Sequence, residues 1–274
     1  YSDLKKIVLE AKKCGINSIG LSGGEPFLYK NNMEMLKLLN DIKITQLKIA
    51  TNGYFFNENI INTLCELKNL NIFFQISLDS ENPDVNNFLR GENSYNTTIK
   101  LLNLINGKFK YTICTLVSKY NCGNIENTVN FLLNDLKADS VTISRAVNMG
   151  NAQKDNNETI DRGTFTNITN TLTKNYGKKV IAACLLNKKC FTPKMSLILF
   201  SDGYFYPCCY LIYKSQRLGS VKDGLENAIN NIKTVIPKLE KIYEKKFNEL
   251  ICSNQYFSCY DCIECVKEYE KGNK

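Results

Sequence analysis

The sequence contains no histidine. That absence removes Ser-His-Asp and Cys-His catalysis, histidine general bases and histidine-ligated zinc together. No run approaches the roughly 20 apolar residues that crossing a bilayer requires, so no membrane association is expected. The opening YSDLKKIVLE has neither a cationic n-region nor an apolar h-region and does not read as a signal peptide, which makes a reducing, cytoplasmic setting the expectation. Internal repeats are missing, and so are RNP, zinc-finger and helix-turn-helix signatures, so no nucleic-acid partner is expected. The formal net charge of +8 comes from lysines scattered along the chain. Such scatter reads as a solvated surface.

What the chain does have is sulfur, with 12 cysteines among 274 residues. They thicken between Cys190 and Cys265, and the stretch 252–265 alone holds Cys252, Cys259, Cys262 and Cys265. In a reducing compartment such clustering favours metal or iron–sulfur binding over disulfides.

Ahead of that region the text alternates helix-like and strand-like blocks. LKKIVLEAKK, opened by Ser2 and Asp3 and stopped by Gly15, has helical spacing; SIGLSG (18–23) is a short buried strand ending in glycines. The same alternation gives strands at 46–50, 71–79, 110–117 and 140–144, with helical segments NMEMLKLLNDI, NENIINTLCEL, TTIKLLNLI and IENTVNFLLNDL between them. Five strands alternating with helices predict right-handed βαβ units around a parallel sheet. NMGNAQKDNNET reads as a polar linker and DRGTFTNITNTLTKN as a helix. Beyond Cys184 the character changes. MSLILF and YFYP flank Ser201-Asp202-Gly203, a hairpin with an Asp-Gly turn, and 225–250 is a long amphipathic helix with a bend expected at Pro237.

In parallel α/β folds, ligands sit where the carboxyl ends of the strands meet the loops. Gly23-Gly24-Glu25-Pro26 follows the first strand directly. Its two glycines let a ligand approach the backbone, and Glu25 adds a carboxylate suited to a ligand's ammonium group. In the tail, Cys190, the hairpin glycine Gly203 and Cys208 stand in a C-x12-G-x4-C spacing, and Cys262-x-x-Cys265 supplies two more thiolates. Four thiolates at these spacings suit a [4Fe–4S] cluster and structural zinc equally. Cys259-x-x-Cys262 is an alternative pair.

These stations together resemble the radical S-adenosylmethionine (SAM) superfamily. SGGEP at the end of a strand resembles its SAM-binding GGEP motif. ATNGY (50–54), ISLDS (76–80), NFLRG (87–91) and SRAVNMGNA follow in the order of its later strands. The resemblance implies an α/β fold, a partial (β/α)6 TIM-like barrel over 1–178 lacking its first strand. It also implies SAM contacts at Gly23, Gly24, Glu25, Pro26, Asn52, Ser77 and Asp79, with Arg145 a partner for the SAM carboxylate. Family members hold a catalytic [4Fe–4S] cluster with a CxxxCxxC loop after the first strand. No CxxxCxxC occurs in this sequence, and the expectation is that the strand and its loop precede Tyr1 in the complete polypeptide.

The cysteine-rich part, 179–274, resembles the SPASM and twitch domains, with their small β-hairpin and helix. The cysteines suffice for one auxiliary [4Fe–4S] cluster on Cys190, Cys208, Cys262 and Cys265, which favours the twitch type. GYFYPCCY, the long helix and the terminal CxxC resemble radical SAM epimerases that convert L- to D-residues in ribosomal peptides, where Cys209 would return the hydrogen atom. The resemblance thus implies a precursor-peptide substrate and an electron donor of flavodoxin or ferredoxin type. Alternatives are a thioether or carbon–carbon cross-linking maturase and, outside catalysis, a degenerate peptide-binding or zinc-stabilised adaptor.

Overall fold

The computed structural model describes residues 1–146, 159–183, 185–186, 196–253 and 257–272. Two compact units emerge, Ile16–Ala183 and a second built from Tyr1–Gly15 with Cys184–Lys274. The predicted linker, Cys184 and Cys190 lie outside the described residues.

The chain begins with helix α1 (Ser2–Lys13), part of the second unit. The first unit then alternates β1 (Ser18–Leu21), α2 (Asn32–Asp41), β2 (Gln46–Thr51), α3 (Glu58–Glu66), β3 (Asn71–Ser77), α4 (Pro83–Arg90), α5 (Ser94–Ile105), β4 (Lys110–Val117), α6 (Ile125–Asn130), β5 (Ser140–Arg145), α7 (Arg162–Tyr176) and β6 (Val180–Ala182). All six strands pair in parallel in sequence order. Sequence pattern predicts five of them. The sixth, Val-Ile-Ala, is too short to carry a period of its own and is recruited by pairing beside Val141–Ile143.

Local chemistry explains where these elements begin. The Asn57 side chain accepts from the Ile60 N–H at 3.0 Å, and the Asp161 side chain accepts from the Thr164 N–H at 2.9 Å. Each satisfies a helix-end donor that the helix itself cannot. Helix α4, absent from the sequence reading, has the same logic: Asn82 caps it, Pro83 takes its first turn and Gly91 follows its end.

The period of two in the strands sorts the sheet's faces. Leu47, Ile49, Ile72, Phe74, Ile76, Ile113, Val141 and Ile143 are each at most 4% exposed. Phe74 lies edge-on to both Phe56 and Phe109. The alternate positions Lys48, Gln75, Ser77, Cys114, Thr142 and Ser144 are partly or fully exposed, so this face is polar. A sheet with one apolar and one polar face positions chemistry on the second.

In the second unit, β7 (Leu185–Leu186) pairs with β11 (Phe257–Ser258), and β8 (Ile198–Leu199), β9 (Tyr204–Tyr206) and β10 (Gly219–Ser220) form a small antiparallel sheet. The expected hairpin is β8–β9. The Gly203 N–H returns to the Phe200 carbonyl at 3.0 Å, with Gly203 at φ +79°, a region only glycine enters cheaply. Helix α8 (Leu225–Cys252) runs through Pro237 as one helix, and α9 (Cys259–Gly272) closes the unit. Glu10 of α1 caps α8, accepting from the Leu225 N–H at 2.8 Å. Among the described residues no helix is long and apolar enough to cross a membrane.

Candidate functional site

Parallel pairing in strict sequence order puts the carboxyl ends of β1 to β5 along one edge. The register makes this concrete: Leu21 pairs with Ile49, Thr51 with Ile76, Ser77 with Cys114 and Val117 with Arg145. Gly23, Gly24, Glu25, Pro26, Asn52, Ser77, Asp79 and Arg145 therefore all lie on or just beyond this edge.

The glycine turn is open. Gly23 adopts φ +122°, and no atom stands within 4 Å of where a Cβ would sit on Gly23 or Gly24. Glu25 is different. The residue is 8% exposed, and its carboxylate is bound from within the protein. The Thr51 hydroxyl donates at 2.9 Å and the Asn52 N–H at 3.0 Å, so the acid ties the turn after β1 to the end of β2. Pro26 opens a short 3-10 turn whose Phe27 N–H also reaches Glu25. What this station offers a ligand is its backbone, with the carboxylate setting that backbone's position. Asn52 uses its side-chain oxygen locally, accepting from the Tyr54 N–H at 3.0 Å.

Ser77 and Asp79 divide in the same way. The Ser77 hydroxyl is half-buried and has no hydrogen-bond partner among the described residues. Asp79 is buried, and Arg90 holds it in a two-pronged pair, Nε to Oδ2 at 2.7 Å and Nη2 to Oδ1 at 2.8 Å. Leu116 donates its N–H to the same Oδ1 at 2.7 Å. Asn86 and Asn121 secure the Asp79 main chain at 2.9 and 2.8 Å. Sequence reasoning does not single out Thr51, Asn86, Arg90 or Asn121. For Arg90 the signal was available, an arginine closing a helix after an Asn-Pro start, eleven residues beyond an acid.

On the polar face, Gln75 Nε2 donates to Cys114 Sγ at 2.7 Å. Burial pushes the Cys114 thiol up, against opposing pulls from Gln75, Lys48, Arg90 and Thr142.

The second candidate locus is sulfur. Cys208 is buried in an apolar cluster with Leu211, Ile236, Leu239, Tyr243, Phe247 and Val266, and Cys262 and Cys265 pack against it. The hydrogen bond with Cys209, followed by burial, pushes the Cys208 thiol far up, and burial likewise raises Cys265. Cys209 is exposed, and Cys259 opens α9 half-buried. Among the described residues no group of three Cys, His, Asp or Glu side chains is close enough to hold a metal ion. The described structure thus brings Cys208, Cys262 and Cys265 to one apolar cluster without assembling a three-ligand set. The cluster's neighbourhood is braced from β9: the Tyr206 hydroxyl donates to Asp202 at 2.7 Å and accepts from Arg217 at 3.1 Å, while Arg217 lies 3.8 Å over the Tyr204 ring.

Residues 2–132 match the family model described as "Radical SAM superfamily", whose members use SAM and a [4Fe–4S] cluster. A GTP 3',8-cyclase from Synechocystis sp. (strain ATCC 27184 / PCC 6803 / Kazusa) is 29% identical over 42% of this chain and 34% of its own length. The chain spans about a third of the curated relatives it matches. Among solved structures, native anSMEcpe with bound AdoMet has a TM-score of 0.66 at 17% identity, over 85% of this chain and 73% of that one. Streptococcus suis SuiB bound to precursor peptide SuiA has a TM-score of 0.58 at 19% identity, over 76% and 52%. At such identities these likenesses establish the fold.

Proposed function

Residues 2–132 match the radical SAM family model, and from that match we propose that the chain is a radical SAM enzyme that modifies a ribosomally made peptide, converting L- to D-residues. The observation that carries the reading is the strand-end edge, where the open Gly23–Gly24 backbone follows β1 and the unengaged Ser77 hydroxyl ends β3, with β2 between them in the parallel sheet. SAM fits that edge chemically, because bare backbone carbonyls receive an ammonium group and a hydroxyl serves a polar ligand.

In this reading the turn at Gly23, Gly24, Glu25 and Pro26 holds the methionine ammonium, Glu25 acting mainly by fixing the turn. Asn52, Ser77 and the Asp79 loop border the rest, and Arg145 pairs with the carboxylate. When bound at a reduced [4Fe–4S] cluster, SAM supplies the 5′-deoxyadenosyl radical that removes a hydrogen atom from the substrate's Cα. The CxxxCxxC cysteines for that cluster are not among the residues of this sequence. Residues 1–178 carry the SAM site. Residues 179–274 carry one auxiliary [4Fe–4S] cluster on Cys190, Cys208, Cys262 and Cys265, and a flavodoxin- or ferredoxin-type protein supplies electrons. Cys209, exposed beside Cys208, would return a hydrogen atom to the opposite face of Cα, and the thiyl radical left on it would regain its thiol with one electron from the donor protein and one proton from solvent. A peptide substrate is supported by the likeness to SuiB with its precursor peptide.

The test is anaerobic turnover of the complete enzyme with SAM and candidate precursor peptides in D2O, read by intact mass. Epimerisation gives a peptide with one deuterium gained per converted residue, and Cys209→Ala abolishes it. A product two hydrogens lighter means cross-linking instead. Zinc without iron or sulfide in anaerobically purified protein means the adaptor reading.

A further inference from the structure

The Asp79 loop poses a problem for any account in which its acid meets the ligand. An ionised carboxylate offers about four acceptor positions. At Asp79 three are filled, two by Arg90 and one by Leu116, and the side chain is only 3% exposed. The main chain beside it is equally committed. The Leu78 N–H donates to the Cys114 carbonyl, the Thr115 hydroxyl donates to the Leu78 carbonyl, and Asn86 and Asn121 take the N–H and carbonyl of Asp79. Two residues upstream, Ser77 ends β3 on the polar face with its hydroxyl unengaged. Its neighbours Ile76 and Leu78 are fully buried on the other side.

We propose that Arg90 is a positioning residue of the SAM site: it clamps Asp79 so that the loop stays in register with β4 and Ser77 is presented to the ligand. The inference rests on the SAM reading of this edge. It moves the role assigned to the Asp79 carboxylate from ligand contact to loop geometry, and it explains the arginine of NFLRG. Its placement is chemically apt. The guanidinium is a planar fork that meets both carboxylate oxygens in parallel, which an ammonium cannot do. It also closes α4, where a cation is favoured by the helix dipole. Lysine would keep the charge and lose the fork, so charge and geometry are separable by substitution.

The experiment uses the complete, anaerobically reconstituted protein and SAM itself as probe. Equilibrium dialysis, thermal unfolding and 5′-deoxyadenosine formation are measured for wild type, Arg90→Lys and the paired Asp79→Asn/Arg90→Gln variant. The pair removes both charges, leaving no unpaired ion buried should a single neutral change prevent folding. The expected result is a weakening of SAM binding by about tenfold in both variants, the equivalent of roughly one misplaced hydrogen bond. Turnover at saturating SAM falls much less, and the Arg90→Lys melting temperature stays near wild type. Wild-type SAM affinity in both variants, whatever happens to melting, overturns the inference while leaving the SAM site standing. Failure of the wild-type protein to bind SAM overturns the site and the inference together.

Discussion

The strand-end edge of the parallel sheet and the cysteine-bearing unit organise polar groups in opposite ways. At the edge, the acids are satisfied by the protein: Glu25 by Thr51 and Asn52, Asp79 by Arg90 and Leu116. The open Gly23–Gly24 backbone and the Ser77 hydroxyl have no such internal partner among the described residues. In the cysteine unit, Cys208 belongs to an apolar cluster built mostly from α8 and α9, and Cys262 and Cys265 of α9 pack against it. The first region is set by charge-assisted hydrogen bonds and the second by packing around sulfur. If the proposed auxiliary cluster binds there, the edge keeps its geometry independently of iron, whereas the order of the cysteine unit is coupled to it.

The largest expected effect tests that independence. Phe74→Ala empties a fully buried position between Phe56 and Phe109 and is expected to cost about 3–5 kcal/mol. Denaturant unfolding should give the same loss with and without iron reconstitution. A loss that iron repairs would break the comparison. Next, Cys208→Ser is expected to remove most of the visible absorption of the proposed auxiliary cluster while leaving SAM affinity within about twofold, a shift smaller than one hydrogen bond's worth. Ser77→Ala should do the reverse, weakening SAM binding and sparing the absorption.

A smaller effect concerns the brace next to the cysteines. Burial opposes ionisation of Asp202, but the Tyr206 hydroxyl, the Tyr204 N–H and Arg217 together hold its carboxyl below the usual range. A folded-state pKa below the unfolded one contributes stability at neutral pH that disappears as pH falls through the lowered value. Asp202→Asn should therefore lower the melting temperature at neutral pH and converge on wild type in acid. A gap that widened in acid would contradict the assignment. The smallest effect belongs to a cap. Asn57→Ala removes the bond to the Ile60 N–H and should cost about 1 kcal/mol by the same unfolding assay, wherever iron is bound.

The readable parts of the sequence were those with a period or a punctuating residue. Strands β2 and β4 stand almost where alternation puts them, and the Asp-Gly hairpin follows from its turn chemistry. Short elements escaped. Three-residue β6 exists only because β5 offers an edge to pair with, and two-residue β7, β10 and β11 carry no pattern at all. Helix α4 is legible only through its ends, Asn82, Pro83 and Gly91, because eight residues span too few turns for a helical period to stand out. Pro237 predicts a bend, yet α8 carries it without ending, since packing of a 28-residue helix can outweigh one missing hydrogen bond. For the proposed site, the motif residues do stand at strand ends, but sequence does not tell which acids the protein itself satisfies. Thr51, Arg90, Asn86 and Asn121 meet them only through tertiary contacts 7 to 42 residues away in the chain.

The most direct measurement is SAM binding to the complete polypeptide, comparing wild type with Gly23→Val at matched iron content. A β-branched residue cannot adopt φ +122° without strain, so it displaces the backbone that is proposed to receive the methionine ammonium. The account predicts that wild type binds SAM and that Gly23→Val loses most of that affinity while still folding around its cysteines. Equal binding by both proteins would show that the glycine turn is not where SAM docks.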